Sequence, residues 1–580
     1  MANRTSLLLL LLFPGVVAGQ CGDPATPISA VQGDDWTSPM AGDTVTVEGI
    51  VTLDARGKTG LGGFYLQSGE SGADDDPATS EAVFVYTRDS QSGTGRRARV
   101  TGVVKEYEGL TELSPVHDVT DCGPATLPAP ESLMTAWPLS GRNAERLEGM
   151  RVGSDSPLTV IDTYQLARFG TVTLALAPQY QPTRTRSPGP AALELKARQS
   201  KHRLLLDDAR AVQNPVMVHP PEAGLSADRT LRAGMRLGIE SAVLDYRYDE
   251  WRLQPMQPPR ALAGNERPKP PGPTEPGVYR LVSFNLGNLF NGDGQGSGFP
   301  TERGADTARE WQRQRAKLVA AIDRLDADLL VLSEVENDGA GRHAALAELV
   351  RLLDGDWRWV LPGRGGPGTD AIRVALAYRA DRIRTVGEPE TVTGGPFDAL
   401  SRVPLIQRFR PVDSGQLFRV AANHFKSRRC QGATGTNRAA GDGQGCYSAA
   451  RMASAKQLAS ALSSSDRAVP TVIGGDLNSY VREDPIRTLQ AAGYGVPVNP
   501  PPPTYRYRGR AGTLDYLMID QAGHSRVDDY GVWAINANEP RALDYNLEYH
   551  PKGRAERLFE PGPWRSSDHD PVYLDLRLRP

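Results

Sequence analysis

The sequence lacks a long apolar run, a dominant charge and a dense set of cysteines, and each absence narrows the possible functions. Residues 7–13 form the one marked apolar run, which is too short to span a bilayer. The 66 basic and 69 acidic residues give a net charge of −3. Because the chain has no overall positive charge, any contact with nucleic acid must come from a local group of residues. The 580 residues suffice for about three or four domains of ordinary globular composition.

The first 19 residues have the features of an export signal. Arg4 gives a short positive start, residues 7–13 form the apolar core, and residues 17–19 are small enough for cleavage after Gly19. Gln20 stands where a lipoprotein signal normally has a small residue before the cysteine. We therefore expect a soluble, secreted protein, outside the cell rather than retained in the periplasm, without membrane insertion.

The four cysteines suit an oxidising compartment, and no CxxC spacing occurs that would favour a zinc site. Cys430 and Cys446 bracket a loop rich in Gly, Asn and Asp, which has little else to pack against. Cys21 and Cys122 lie at the two ends of the first β-rich segment. Three pairings are possible in principle, and we predict the pairs 21–122 and 430–446.

The most informative stretch is an apolar strand that ends in two glycines and two polar residues. Residues 470–473 have the character of a buried strand, and Gly474 and Gly475 allow a sharp turn and a close approach to another group. In an extended chain Asp476 and Asn478 lie on the same side. A carboxylate beside an amide suits an oxyanion held next to a divalent cation, although an Asx turn after a strand is the alternative.

From residue 278 onward, apolar strands alternate with helices. Several of these strands end at a carboxylate, an amide or a histidine, which are side chains that catalysis can use. Strands are predicted at 279–285, 329–335, 374–378, 405–409, 418–425, 514–519 and 572–578, and helices at 310–325, 344–353 and 447–462. This α+β pattern predicts two sheets packed face to face with helices outside. The polar residues at or near the strand ends are Asn285, Glu334, Asn423, His424, Asp476, Asn478, Asp515, Asp568 and His569.

The region before residue 278 is β-rich. Alternating segments at 44–51, 82–86 and 98–104, separated by glycine-rich turns, suit a small barrel over residues 20–125. Residues 126–263 read as a second β-rich module, and the proline-rich residues 264–277 read as a stiff linker.

Taken in order, the strand-end residues resemble those of the endonuclease/exonuclease/phosphatase superfamily, the fold of pancreatic deoxyribonuclease. Residues 368–376 and 423–427 are similar to secreted bacterial nucleases of the ExeM/NucH type, as is the loop from Cys430 to Cys446. Residues 62–67, 74–80 and 109–113 resemble the OB-like domain in front of such nucleases. The resemblance implies a four-layer α/β sandwich over 278–580, preceded by two small OB-like domains. Tyr516 departs from the group, which often has His there.

The resemblance also implies roles in metal-dependent phosphodiester hydrolysis. Asn285, Glu334 and Asp568 are oxygen donors suited to Mg²⁺ or Mn²⁺. Asp476 and Asn478 are expected to hold the phosphate, or a second metal ion in a two-metal variant. His569 is expected to be the general base, oriented by Asp515, and His424 to donate a proton or a hydrogen bond to the developing oxyanion.

Further residues are candidates for substrate contact. They are Arg373, Asn423, Asp370, Arg506, Tyr507 and Arg508. Asp370 is also a candidate carboxylate partner for His424. Residues 506–510 form a basic–aromatic segment suited to bases and phosphates, with a solvated hairpin as the alternative. The acidic residues 74–76 are a candidate for structural Ca²⁺ or a solvated turn.

Three functions are compatible with these features. The first is a secreted nuclease of low sequence specificity that acts on DNA, with RNA as a second candidate substrate, as a monomer without a protein partner. The second is a phosphoesterase of the same fold that acts on a phospholipid or a small phosphate ester. The third is a non-catalytic protein that binds extracellular DNA or matrix.

Overall fold

The structure, a computed structural model, describes residues 20–578 except 75, 89–91, 140–141, 219, 222–223, 263, 364 and 464–467. The predicted export signal at residues 1–19 and Asp75 of the acidic segment lie outside the described residues. None of the helices in the described part of the chain combines the length and apolar character needed to cross a bilayer.

The described residues form strands and helices in both halves of the chain. The strands before residue 263 are β1 (Thr44–Ala55), β2 (Gly63–Gln67), β3 (Ala82–Val85), β4 (Arg96–Tyr107), β5 (Leu110–Pro124), β6 (Glu131–Ser132), β7 (Arg151–Gly153), β8 (Leu158–Asp162), β9 (Val172–Ala175), β10 (Gln179–Tyr180), β11 (Leu204–Leu206), β12 (Arg236–Gly238), β13 (Ala242–Arg247), β14 (Glu250–Pro255) and β15 (Arg260–Leu262). The later strands are β16 (Val278–Leu289), β17 (Leu329–Glu336), β18 (Trp357–Trp359), β19 (Ile372–Arg379), β20 (Ile383–Thr391), β21 (Leu405–Pro411), β22 (Phe418–His424), β23 (Thr471–Asp476), β24 (Tyr505–Tyr507), β25 (Arg510–Gly512), β26 (Asp515–Ile519), β27 (Val527–Val532) and β28 (Val572–Arg577). The helices are α1 (Ile28–Gln32), α2 (Arg142–Glu145), α3 (Leu166–Phe169), α4 (Pro182–Thr185), α5 (Pro190–Lys201), α6 (Ala308–Leu325), α7 (Ala345–Val350), α8 (Pro396–Ala399), α9 (Ser448–Ser463), α10 (Asp484–Ala491), α11 (Gln521–His524) and α12 (Arg554–Leu558).

The first of two compact units runs to Gly153 and includes Ala209–Ala211 and Ser241–Met256. Five of its strands close into a barrel in the order β1-β2-β3-β5-β4, around an apolar interior. A disulfide joins Cys21 to Cys122, which lies in β5, and confirms the predicted pair. The unit also contains the neighbouring strands β14-β13-β7-β6.

In the same unit, the acidic segment proposed for calcium makes local turns. The carboxylate of Asp74 accepts the backbone N–H of Asp76 at 2.9 Å, and the carboxylate of Asp76 accepts that of Ala78 at 2.9 Å. These bonds are the Asx-turn contacts expected of a short acidic loop. The structural Ca²⁺ stays a prediction.

The second unit comprises Ser154–Asp208, Val212–Glu240 and the chain from Gln257 onward. A six-stranded sheet has the order β18-β19-β17-β16-β28-β27, and a five-stranded sheet has the order β20-β21-β22-β23-β26. The same unit contains the neighbouring strands β15-β12-β8-β9-β11 and a small sheet of order β10-β25-β24.

The six-stranded and five-stranded sheets pack face to face. Their shared core contains Leu281 and Leu376 from the first sheet and Phe418 and Leu517 from the second. Helices α6 and α7 cover the outer face of the six-stranded sheet, and α9 and α10 cover the outer face of the five-stranded sheet. The mixed α+β architecture predicted from the alternating pattern is therefore confirmed.

Helix α6 shows how the local sequence determines where a helix begins and which of its faces is buried. The hydroxyl of Thr307 accepts the backbone N–H of Glu310 at 3.2 Å and caps the first turn, so the helix begins two residues before the predicted start. Leu318 and Ile322 lie on its buried face, one turn apart, as the apolar spacing predicts. The helix ends at Leu325, followed by Asp326 in the left-handed conformation.

Two glycines allow β22 and β23 to pair closely. Gly475 has a φ of +127°, and a Cβ at this position would lie 1.9 Å from the carbonyl oxygen of Asn423. A Cβ on Gly474 would lie 3.0 Å from side-chain atoms of both Leu517 and Val331, in the packing between the sheets. The close approach predicted from these glycines is thus present, and it fixes the end of β23.

Replacing Gly475 by alanine is expected to destabilise the protein by about 3 kcal/mol or more, because Cβ would overlap the neighbouring strand's backbone in a conformation that L residues rarely adopt. Gly493→Ala is the matched control: its φ is +97°, but no atom lies within 4 Å of the added Cβ. This control should lose only about 1 kcal/mol. Chemical denaturation measures both, and equal losses would contradict the close-packing argument.

Candidate active site

Three adjacent strands of the five-stranded sheet bring a histidine and two carboxylates side by side. The parallel register of β22 and β23 places His424 opposite Asp476. The antiparallel register of β23 and β26 places Asp476 opposite Asp515. All three side chains are buried, so their charges interact with little screening from water.

Asp476 lies at the centre of this row. Its Oδ1 accepts the backbone N–H of Asn478 at 2.8 Å, and its Oδ2 accepts the side-chain amides of Asn285 at 3.2 Å and of Asn478 at 3.3 Å. Because Asn285 lies on β16 of the other sheet, this carboxylate links the two sheets at the site. Burial and the nearby carboxylates raise the pKa of Asp476 to about 7, although His569 acts in the opposite direction.

His569 is held by a carboxylate and a threonine. Its Nδ1 lies 2.7 Å from Oδ2 of Asp515, and the same oxygen accepts the hydroxyl of Thr504 at 2.7 Å. The ring of Tyr505 packs against the imidazole with centroids 4.6 Å apart. Burial disfavours the charged imidazole, but Asp515 and other carboxylates outweigh burial and raise the pKa of His569 well above its usual value.

Glu334 and Asp568 supply two further carboxylates. Glu334 lies within β17, two residues before its end, and has a φ of +60°, which is uncommon for a residue other than glycine. Burial and the proximity of Asp568 raise the pKa of Glu334. Together with the amide of Asn285, these are hard oxygen donors of the type that Mg²⁺ and Mn²⁺ prefer. The crowding of anionic groups makes the donor set fit a divalent cation.

A second group of possible ligands overlaps this site. Asp476, Asp515 and His569 each offer a donor atom, and these atoms lie within 4.8 Å of one another. Both arrangements place the candidate cation at the same strand ends.

His424 lies in an environment opposite to that of His569. Burial and the nearby guanidinium of Arg402 lower the pKa of His424 well below its usual value. Its Nε2 lies 3.6 Å from Oδ2 of Asp476, and its Nδ1 has no hydrogen-bond partner among the residues that the structure describes. The ring is therefore neutral and available to donate or accept a hydrogen bond.

Asp370 does not pair with His424. Its carboxylate contacts two arginines, Arg303 at 3.3 Å and Arg402 at 3.5 Å. The carboxylate beside His424 is instead Asp476, and the suggested Asp370 partnership is corrected accordingly. Sequence reasoning missed Arg402 because it precedes a strand rather than ending one. The pattern Ser401-Arg402 ahead of β21 offers no signal for its position.

Arg373 and Arg506 do not join the cluster. The buried guanidinium of Arg373 donates to the carbonyl oxygens of Glu336 at 3.2 Å and Gly339 at 2.9 Å. That of Arg506 donates to the carbonyl oxygen of Ile161 at 3.2 Å, among other acceptors. These donors bind the protein's own carbonyl groups and, for Arg506, the side-chain oxygen of Asn538, so both guanidinium groups have a structural role, and the phosphate contacts expected of them stay a prediction.

The remaining candidates for substrate contact differ in exposure. Asn423 is fully buried, and its amide donates to the carbonyl oxygen of Ala421 at 2.7 Å, so it supports the end of β22. Tyr507 is 53% exposed, and the guanidinium of Arg508 lies 5.5 Å from its ring centroid. Thr504 and Tyr505, which sequence reasoning missed, directly precede this basic–aromatic segment.

The predicted disulfide between Cys430 and Cys446 is present and closes the loop before α9. The buried guanidinium of Arg451 on α9 donates to the carbonyl oxygens of Cys446 at 2.7 Å and Gln444 at 2.8 Å. Its Nε also lies 3.2 Å from the hydroxyl of Ser479, next to Asn478. The bridged loop is thereby tied to the segment that follows β23.

Residues 282–569 match the family model described as the Endonuclease/Exonuclease/phosphatase family. These residues form a domain of that family. The matched segment contains the whole cluster of strand-end residues, from Asn285 to His569. Members of the family are hydrolases of phosphate esters that typically use a divalent metal ion, and this reaction class applies to the domain.

Several solved structures resemble the chain at low identity. An endonuclease/exonuclease/phosphatase from Bacteroides vulgatus is 16% identical and covers 52% of this chain and 99% of its own, with a TM-score of 0.35. The human Nocturnin catalytic domain with bound sulfate is 16% identical and covers 52% and 94%, with a TM-score of 0.33. D. rerio TDP2 complexed with a single-strand DNA product is 14% identical and covers 51% and 98%, with a TM-score of 0.32. No curated protein matches the chain.

Thr504→Val should reduce the rate of phosphate-ester hydrolysis roughly tenfold or more, because it removes a hydrogen bond to the carboxylate that orients His569. The hydroxyl also accepts the backbone N–H groups of Leu514 and Asp515. Thr504→Ser keeps the hydroxyl and should stay near wild type. The turnover number and melting temperature of both variants separate an effect on His569 from a loss of folding, and a fully active, well-folded valine variant would contradict the assigned contact.

Proposed function

We propose that the protein is a secreted, metal-dependent nuclease that hydrolyses the phosphodiester bonds of DNA, and of RNA as a second substrate, with little sequence specificity. The observation that carries this proposal is a convergence of side chains from both sheets. The paired His569 and Asp515 lie with Asp476 and Asn285. A buried base and several hard oxygen donors at one point are the components that hydrolysis of a charged phosphodiester requires.

Glu334, Asp568 and Asn285 would hold Mg²⁺ or Mn²⁺. When bound, a divalent cation neutralises phosphate charge and makes an attacking water more acidic. Asp476 is held by two amides and shares the row with His424, so together with Asn478 it would orient the phosphate, or hold a second cation.

His569 would take the proton from the attacking water. Its Nδ1 is engaged by Asp515, which leaves Nε2 to accept the proton and fixes the ring orientation. Asp515 also favours the charged imidazole that forms when the proton is taken. Tyr505 and Thr504 limit the movement of this pair through ring packing and a hydrogen bond.

His424 and Arg402 would stabilise the negative charge that develops on the phosphate. His424 is neutral at ordinary pH because its pKa is lowered, so it would donate a hydrogen bond to an oxygen rather than transfer a full proton. Arg402 is nearly buried, and its Nε makes no hydrogen bond within the described residues, although Asp370 is 3.5 Å away. Its guanidinium would pair with a phosphate oxygen.

Nucleic acid is favoured over a lipid or a small phosphate ester by the segment beside the site. Tyr507 is exposed on the strand that carries Tyr505, and the exposed Arg508 follows it, so the two residues offer a stacking ring and a cation. The five-stranded barrel of the first unit, proposed to be OB-like and of the type found in ExeM/NucH nucleases, is a second candidate for single-strand binding.

Secretion is supported by the state of the cysteines, which suits an oxidising compartment. All four cysteines are paired in two disulfides. The signal-like segment at residues 1–19 is the sequence feature that would direct export.

A digestion panel tests the proposed substrate and metal. Full-length protein treated with a chelator should be inactive, and Mg²⁺ or Mn²⁺ should restore cleavage of plasmid DNA, with 5′-phosphate ends. RNA, sphingomyelin and p-nitrophenyl phosphate are the parallel substrates. Turnover of sphingomyelin or of the monoester with intact plasmid would replace the nuclease by another phosphoesterase, and DNA binding without nicking in any metal would indicate a non-catalytic protein.

His569→Ala, His424→Ala and Asp476→Ala should each reduce the cleavage rate about a hundredfold or more with little loss of folding. The exposed His524, on α11, supplies the matched control His524→Ala, which should cleave at the wild-type rate. Single-turnover rates on plasmid DNA measure these effects. Near-normal cleavage by any of the three variants would remove that residue from the mechanism.

A further inference from the structure

We propose that the tyrosine face of the β24–β25 hairpin stacks unpaired bases and makes single-stranded nucleic acid the preferred substrate of the site. The inference rests on the nuclease function proposed above and names the form of its substrate. It is carried by the strand register of the hairpin, the exposure of Tyr507 and the contact of Tyr505 with His569.

Strand alternation puts Tyr505 and Tyr507 on one face of β24 and Arg506 on the other. The ring of Tyr505 lies against the imidazole of His569, with centroids 4.6 Å apart. Tyr507 is 53% exposed. The face that carries the two tyrosines therefore runs from the histidine of the active site out to solvent.

The spacing of the two rings suits a strand whose bases are unstacked. Two residues along a strand span about 6.6 Å. This is about twice the ~3.4 Å rise per nucleotide in a duplex strand. In a duplex, each base face is covered by its neighbour, so the exposed ring of Tyr507 can stack only on an unpaired or terminal base. Such stacking tolerates any base, which agrees with low sequence specificity.

Arg508 supplies the charge that a polyanion requires at the tip of the hairpin. It is exposed, and its guanidinium lies 5.5 Å from the centroid of the Tyr507 ring. The neighbouring Arg510 is buried and donates to Gln199 and Ser200 on α5, so it is not available to substrate. A stacking ring beside one accessible cation is the combination that binds a base and its phosphate.

The hairpin is held in place before any substrate binds. Arg203 donates to the carbonyl oxygen of Arg508 at 2.9 Å, and the amide of Gln181 donates to that of Tyr507 at 3.3 Å. At the other end, a Cβ on Gly512 would lie 2.5 Å from the ring of Tyr480, so the strand is seated closely against that ring. A fixed platform lowers the entropy cost of ordering the substrate.

The same small sheet offers a matched control. Tyr180 is 37% exposed, and the guanidinium of Arg184 lies 4.7 Å from its ring centroid, so the pair resembles Tyr507 and Arg508. The register sets Tyr180 beside Ala511, which in turn pairs with Arg506. Because paired residues share a face, Tyr180 lies on the face opposite to the two tyrosines of β24.

The experiment compares full-length wild type with Tyr507→Ala, Tyr507→Phe and Tyr180→Ala on three substrates of equal length. These are a single-stranded oligonucleotide, a strand of abasic tetrahydrofuran units and the duplex. Wild type should have its lowest KM for the single strand. Tyr507→Ala should raise this KM roughly tenfold, with little change in kcat and none on the abasic strand. Tyr507→Phe and Tyr180→Ala should match wild type.

The outcomes separate the stacking proposal from the nuclease proposal. Wild type that cleaves none of the three substrates in any divalent metal would overturn both. If wild type cleaves the substrates but Tyr507→Ala has a normal KM for the single strand, the stacking proposal alone is overturned. An equal rise in the KM of Tyr507→Ala for the abasic strand would overturn it as well. A wild-type preference for duplex, or the same loss in Tyr180→Ala, would also reject it. Melting curves check that each variant is folded, and the exposed position of Tyr507 predicts no change.

Discussion

The close parallel pairing of β22 with β23 is the constraint on which the rest of the site depends. The carbonyl oxygen of Asn423 occupies the space that any side chain at Gly475 would need. This contact sets the register that puts His424 beside Asp476, and the next strand then adds Asp515 to the row. A shift of one residue in this pairing register would turn the side chains of the shifted strand to the other face of the sheet and separate the residues of the cluster.

From this row the organisation extends across both sheets. Asp515 holds the imidazole of His569, which arrives from the segment just before β28 of the other sheet. Asp476 receives the amide of Asn285, and the hydroxyl of Ser567 donates to the carbonyl oxygen of Asn285 at 2.7 Å. Each of these contacts fixes one strand, or the segment just before it, to another. The site is therefore a product of how the two sheets are aligned, and not of any single loop.

This dependence explains how much of the site the sequence could predict. Apolar runs identify strands, and polar residues where such runs stop identify His424, Asp476 and Asp515, because strand ends meet at one edge of a sheet. The alternation of strands with helices was predictable from the same apolar pattern, and the two disulfides from the position of the cysteines at the ends of a segment or loop. The bounds of the helices were predicted less accurately. The helix predicted at 344–353, for example, spans Ala345–Val350.

The contacts of long side chains were the hardest part of the site to predict. An arginine reaches several ångströms from its backbone, so sequence position does not tell whether its donors meet substrate or carbonyl oxygens. Arg373 and Arg506 both bind the protein's own backbone. Arg402, by contrast, reaches the site from a segment that has no strand-end signal. Tertiary packing decides whether an arginine binds backbone carbonyl oxygens or reaches the site. No periodicity or motif in the sequence indicates which of the two occurs.

The two histidines of the site show how environment divides their roles. His569 faces Asp515 and Asp568, and its pKa is raised although burial acts against it. His424 faces Arg402 and other cations, and its pKa is lowered by burial and by these charges together. The ring of His569 is thus suited to take up a proton and that of His424 to remain neutral, the separation of acid–base character that general acid–base catalysis uses. Because the opposite shifts arise from fixed neighbours on different strands and on the segments before them, a single alignment of the sheets supplies both.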